Sequence, residues 1–217
     1  MIDISDDQMS YENEVQSFSD WCDSHYLDLN VTKTKEMIVD FKREQTDIPT
    51  LFINGQEVER VTEYNYLGSV IDNKLTFNSN ADKIHKKCRQ RLYILYSLRS
   101  LRVNEKILRR CYQAFILSVL SFSLMCWYES LSERQKGRLN GIVRLCAKIV
   151  GSEQVSLSEI YQQRVRVKAG KMRSDPTHVL CKYFVELPSG RRLRAVKFRT
   201  KRFKNTFIPQ AVNILNS

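Results

Sequence analysis

The chain has 217 residues, 42% of them hydrophobic and 27% charged, with only seven Gly and four Pro. That is enough apolar material for one domain, or for a small domain and a larger one, and it excludes a low-complexity chain built on long flexible linkers. A net charge of +11 favours polyanionic partners, nucleic acid first and anionic membrane second.

In chain order, Asp6 or Asp7 is expected to cap a helix from about Met9 to His25, with Val15, Phe18, Trp21 and Cys22 as its apolar stripe. Leu27-Asp-Leu-Asn turns into a short strand, Glu36 to Phe41. Asn54-Gly55 lies between two strand-like runs and predicts a hairpin, because both residues tolerate positive φ. A further strand is expected from Tyr64 to Ile71. Beyond Phe77 the pattern turns helical, with helices at about 81–101, 104–128, 132–151 and 156–172. Asn104 is a cap, Gly151 a C-terminal cap, and Asp175-Pro176 a breaker. In the first of these helices Ile84, Cys88, Leu92, Leu95 and Leu98 form one stripe at spacings of 4, 4, 3 and 3, with Lys86, Arg89 and Tyr93 on the other side. The run Ala114 to Trp127 is the most apolar. At ~14 residues it falls short of the ~20 that span a bilayer, and it reads as a buried helix. The tail holds the turn Pro188-Ser-Gly-Arg between strand-like stretches and a short helix around 210–215.

Charge is divided between the two ends. Residues 1–30 hold eight acids and no Lys or Arg. Residues 191–204 hold eight bases (Arg191, Arg192, Arg194, Lys197, Arg199, Lys201, Arg202, Lys204) and no acid. Such a run suits phosphate contact, and equally a solvated charged tail. The interleaved Leu193, Val196, Phe198, Phe203 and Phe207 suit base stacking or docking on the helices. Six Cys, none in a two-residue-spaced pair, and three scattered His give no metal or redox motif; reduced thiols in a nuclear or cytoplasmic protein are expected. The acidic N-terminus carries no secretion signal.

Several segments, in order, resemble the C-terminal part of LINE-type (non-LTR retrotransposon) reverse transcriptases. They are Tyr11-Glu-Asn-Glu-Val-Gln, Leu27-Asp-Leu-Asn, Lys33-Thr-Lys-Glu-Met-Ile-Val-Asp-Phe, Ile53-Asn-Gly and Tyr66-Leu-Gly. Arg144-Leu-Cys-Ala-Lys-Ile-Val-Gly, Asp175-Pro-Thr-His, Leu187-Pro-Ser-Gly-Arg-Arg and Arg199-Thr-Lys-Arg-Phe-Lys follow. The resemblance implies an α+β fold: a late-palm and primer-grip piece over 1–77, a helical thumb-like bundle over 78–174 and a basic extension over 175–217. It places Lys33 near an incoming nucleotide, where a cation meets charge developing on the leaving phosphate. It places Gly68 in the primer grip, and Lys86, Arg89 and Tyr93 on the thumb face that meets the template–primer duplex. By residue type alone, Lys33 is equally an exposed turn lysine and Gly68 a glycine at a sheet bulge.

The resemblance also implies an absence. The metal-holding aspartates of the polymerase would lie upstream of Met1, and Asp6-Asp7 sits too close to the first helix to be that pair. The expectation is therefore a non-catalytic remnant without cofactor or metal. It would bind RNA, DNA or an RNA–DNA hybrid, stay clear of membranes, and self-associate through an exposed palm edge. A scaffold protein with no nucleic-acid role is the rival. The helix from about Leu131 to Glu153 also resembles the short segment that opens the AlkB-homologue family of tRNA-modifying oxygenase–methyltransferases. None of the three His stands two residues before an acid, as that oxygenase's iron site requires, and no glycine-rich cofactor loop is present.

Overall fold

A computed structural model describes residues 8–42 and 48–217. The fold is α+β and divides into two compact units, Met1–Leu75 and Thr76–Ser217. The C-terminal residues 175–217 belong to the second unit.

The first unit opens with helix α1, Gln8–Ser24; the capping residues Asp6 and Asp7 lie outside the described residues. Its inner face differs from the expected stripe. Ser19 and Cys22 are buried, with Tyr11 and Val15 half-buried on the same line, whereas Phe18 and Trp21 face outward. The reason is polar pairing: Ser19 Oγ donates to Asn54 Oδ1 at 3.4 Å, and the Tyr11 hydroxyl donates to Glu36 Oε1 at 3.2 Å. Those bonds fix the rotation of the helix, and Phe18 and Trp21 fall on the wrong side of it. Strands β1 (Lys35–Glu36), β2 (Phe52–Ile53), β3 (Gln56–Glu57), β4 (Glu59–Arg60), β5 (Glu63–Tyr66) and β6 (Ser69–Asp72) follow. They pair as β1 with β4, parallel, and β2 with β3 and β5 with β6, both antiparallel.

The Asn54-Gly55 hairpin is present, with φ of 50° and 75° at its two turn residues. The expected strand Glu36–Phe41 is reduced to its first residue. The β4 chain gives one last bond, Val61 N–H to the Glu36 carbonyl at 2.8 Å, and then leaves to build β5. Among the described residues no strand remains to pair with 37–42. The expected strand Tyr64–Ile71 is instead a complete hairpin. It reverses at Leu67-Gly68, where φ is 46° and 90°.

Val31, Leu51, Ile53 and Val58 form a small core. An ion pair supports it: Arg60 Nε donates to Glu36 Oε2 at 2.7 Å, and the same guanidinium donates to the carbonyls of Ile48 and Pro49. The Glu36 side chain is only 4% exposed. Arg60→Ala leaves that buried carboxylate without its cation and, among the described residues, with only the Tyr11 hydroxyl, and we expect it to destabilise this unit by about 3 kcal/mol. Hydrogen exchange should then speed up in the first unit's amides, with Arg60→Lys intermediate; unchanged protection would refute it.

The second unit is a helical bundle. It contains α2 (Asn78–Ser100), α3 (Glu105–Tyr112), a π-helical turn (Gln113–Leu117), α4 (Ser118–Leu120), α5 (Leu124–Trp127), α6 (Glu133–Val150), α7 (Leu157–Ser174), α8 (Lys201–Lys204) and α9 (Phe207–Asn216). The caps expected at Asn104 and Gly151 are present, and Ser132 and Ser156 add two that were not anticipated. Asn104 accepts from the Lys106 N–H, Ser132 caps α6, Gly151 ends it at φ 85°, and Ser156 with Glu159 forms a capping box on α7. The predicted stripe of α2 is its core face: Ile84, Cys88, Leu92 and Leu95 are buried and Leu98 half-buried. α2 packs along α6, and Asp82 accepts from Arg138 at 2.5 Å across the pair. Burial pushes the Cys88 and Cys146 thiols up to about 12, so both stay protonated. All six Cys are free.

The expected single helix 104–128 is interrupted twice. The π turn at 113–117 loosens the hydrogen-bond ladder, and the chain breaks at 121–123 with Ser123 at φ 47°. Each interruption has a side chain to meet it. Arg91 of α2 donates to the Phe115 carbonyl at 2.7 Å. Arg164 of α7 donates to the carbonyl and, at 2.9 Å, to the Oγ of Ser121. The Trp127 indole N–H donates to the Phe122 carbonyl at 2.9 Å. Glu105–Ser130, taken as one stretch of 26 residues, is long and apolar enough to cross a membrane by length and composition, longer than the 14-residue run anticipated. Here it sits in the bundle core through Leu108, Tyr112, Ile116, Leu120, Leu124 and Trp127.

Candidate nucleic-acid interface

The C-terminal basic run is held on the bundle by its apolar residues. The chain reverses at Gly190, φ 66°, so that Glu186 bridges Leu193 and the Leu187 N–H bonds the Arg192 carbonyl at 2.8 Å. Alternation along this ribbon buries Leu193 and exposes its neighbours Arg192 and Arg194, and Arg191 is exposed at the turn. Asn216 of α9 clamps the buried residue from both sides, accepting from the Leu193 N–H at 2.8 Å and donating to its carbonyl at 3.0 Å. α9 in turn packs on α7. The expected terminal helix over 210–215 is longer, starting at Phe207.

Beyond Leu193 the run carries Lys197 and Arg199 on irregular chain and Lys201, Arg202 and Lys204 on α8, which Thr200 caps. All eight bases are exposed. Among the described residues no acid forms an ion pair with Arg191, Arg192, Arg194, Lys197, Arg199, Lys201 or Lys204. Phe198 and Phe203 are 50% and 44% exposed, and the Lys204 ammonium lies 5.6 Å over the Phe198 ring. Anchored cations beside half-open rings can meet phosphates and unpaired bases together.

The face of α2 is a second group. Lys86, Arg89 and Tyr93 are exposed, Tyr93 at 76%, and spacings of three and four make them surface neighbours. The acid one turn before Lys86 is Asp82, and Arg138 already occupies it. Among the described residues Lys86 and Arg89 therefore have no carboxylate partner. His85 adds no charge at neutral pH: burial, then Arg138 and Arg89, hold its pKa below the ordinary value against the pull of Asp82.

Lys33 and Gly68 belong to the first unit. Lys33 ends a short 3-10 turn, Val31–Lys33, that Asn30 caps, and its side chain is exposed. Gly68 is a turn residue rather than a bulge. Its φ of 90° excludes side chains on conformational grounds, so the hairpin accounts for the glycine without a ligand. Within the second unit, α2 lies along α6, whereas the tail is fastened through α9 to α7, so the two basic groups stand on different helices.

Sequence reasoning passed over α7. From Ile160 to Ser174 it carries five bases (Arg164, Arg166, Lys168, Lys171, Arg173) and no acid, a signal legible in the composition. Among the described residues no group of three or more His, Cys, Asp or Glu is placed to hold a metal ion. Compared with known proteins, the chain matches no family model, no curated protein and no solved structure.

Proposed function

We propose that the protein is a catalytically incomplete reverse-transcriptase remnant that binds RNA or DNA backbones without strong sequence preference. The observation that carries this reading is the 191–204 run: eight exposed bases interleaved with half-open rings and tied to the bundle through Leu193. Lys86, Arg89 and Tyr93 supply a second contact face of the same chemistry. The LINE-type likeness gives both groups an ancestral reason, since thumb and tail of such an enzyme hold a template–primer duplex. On this reading the protein is no enzyme, needs no cofactor, and works in the nucleus or cytoplasm. Nucleic acid is favoured over membrane because Arg91 and Arg164 bond, from neighbouring helices, the backbone of the membrane-length stretch found among the described residues.

The test is a salt titration of binding to a labelled RNA–DNA hybrid and to single-stranded RNA. With six or more phosphate contacts, affinity should fall by about a thousandfold between roughly 50 and 200 mM salt, because each contact releases counterions. Binding indifferent to salt contradicts the reading.

One observation favours a protein partner as well. On α1, Phe18 stacks on Trp21 at 6.1 Å and Trp21 on His25 at 4.4 Å, with both large rings about half exposed on an acidic helix. A cooperatively melting protein that binds no nucleic acid at low salt would leave this scaffold reading in place of the first.

A further inference from the structure

Helix α7 carries a row of cations with nothing to neutralise it. Arg164, Lys168 and Lys171 recur at spacings of four and three, so they stand on one face about 6 and 4.5 Å apart along the axis. All three are exposed, and among the described residues none has an acid partner. Like charges at this spacing repel and weaken a helix, so the row works against the fold that carries it. A ligand that supplies negative charge along the same line would relieve that cost.

The row also lines a groove. Its walls are Arg164, Lys168 and Lys171 with Gln163, and Met125 and Val167 contribute the apolar part. Arg164 is fixed in place, since it bonds the Ser121 carbonyl and hydroxyl at the helix break. Two donations leave the guanidinium with further N–H groups to offer. The next residue, Phe122, is half exposed. The cation is thus anchored one residue along the chain from an open ring, and a cation with a ring in reach can serve a phosphate and its unpaired base.

The tail is fastened on the other side of α7, because Arg173 is two residues and so about 200° from Lys171. At the C-terminal end of α7, Arg173 pairs with Glu186, and Glu186 is the residue bridged to Leu193. Leu193 is flanked by Arg192 and Arg194. One chain of contacts thus connects the end of α7 to the first bases of the 191–204 run.

We infer that Arg164, Lys168 and Lys171, with Phe122, form a binding groove on α7 for one single-stranded nucleic-acid chain. The inference rests on the nucleic-acid reading above and deepens it by adding a site on α7. The strand's phosphates would follow the row one helical turn at a time, and a base would rest on Phe122.

The experiment measures fluorescence anisotropy of labelled oligouridylate and oligodeoxythymidylate with the full chain. Lys168→Glu/Lys171→Glu and Arg191→Glu/Arg192→Glu/Arg194→Glu are compared with wild type across salt. Reversing the two lysines should weaken binding at least tenfold and reduce the salt slope by about 1.4, two contacts at ~0.7 each for a single strand. Lys168→Arg/Lys171→Arg should bind as wild type does, and Phe122→Ala should lose several-fold affinity at an unchanged slope. If the Glu pair does not melt cooperatively, Lys168→Gln/Lys171→Gln replaces it, with the same slope expected. Wild-type affinity in the lysine variant, alongside a weakened tail variant, overturns this groove and leaves the broader reading standing. No binding by wild type at low salt overturns both. The two oligonucleotides separate the sources of the phosphate strand: equal binding means the groove reads backbone and base face alone.

Discussion

Reversing Arg191, Arg192 and Arg194 together to Glu should lower the affinity for single-stranded RNA by about a hundredfold at low salt and flatten the salt slope by about 2. Each cation lost removes a phosphate contact worth ~0.7 in slope on a single strand, and each Glu adds repulsion to a ligand that is uniformly negative. The three side chains are exposed on a ribbon whose attachment lies elsewhere, in Leu193 and the Asn216 clamp. Melting should therefore be unchanged, so that lost affinity reports the surface and not the fold. Arg→Lys at the same three positions should retain most of the affinity, because a run on an open surface needs charge more than guanidinium geometry. Equal affinity of the Glu variant and wild type, across the whole salt range, would remove the tail from the interface.

The second large effect concerns stability. Trp127→Ala should destabilise the second unit by about 4 kcal/mol. The indole is fully buried, so truncation leaves a cavity as well as a lost transfer energy. It also strands the Phe122 carbonyl at the helix break, which then needs another donor. Trp127→Phe refills part of the space without the donor and should fall between. Urea unfolding followed by far-UV circular dichroism measures the shift in midpoint. The chain has two Trp, and the other, Trp21, is half exposed in the first unit. In Trp127→Ala the remaining fluorescence therefore reports the first unit alone. A midpoint within error of wild type would show that the break at 121–123 does not depend on the indole.

Legibility in the sequence followed the range of the forces involved. The caps at Asn104 and Gly151 were readable because a cap is a bond within a few residues of its own chain. The Asn54-Gly55 turn and the core stripe of α2 were readable for the same reason. Failures came where a distant partner decides. The rotation of α1 is set by Asn54 and Glu36, some 35 and 25 residues away from Ser19 and Tyr11, and no helical periodicity encodes that. Strand β1 stops where β4 turns off, which the sequence of β1 does not record. Of the candidate site, the tail and the α2 face were visible as charge and spacing. The Leu193–Asn216 clamp and the Arg164–Ser121 anchor join residues far apart in the chain, so neither could be read from local pattern.

The π turn at 113–117 has a bearing on how the chain tolerates changes in length. The buried row Leu108, Tyr112, Ile116, Leu120 and Leu124 advances by four at every step. In an uninterrupted α-helix such a row drifts about 40° per step, roughly 160° over its length, and would wind most of the way round to solvent. The wider turn takes up part of that phase error, and the break at 121–123 takes up more. The segment thus holds a surplus residue, and Arg91 bonds a carbonyl within it. Removing one residue between Gln113 and Leu117 would close the ladder into α-helix and turn one step of four into a step of three. The same deletion in the middle of α2 would swing everything after it by about 100°. Natural variation in length should accordingly collect at the π turn, and its strict spacing of four is the phase signature by which such a surplus residue can be recognised in a sequence.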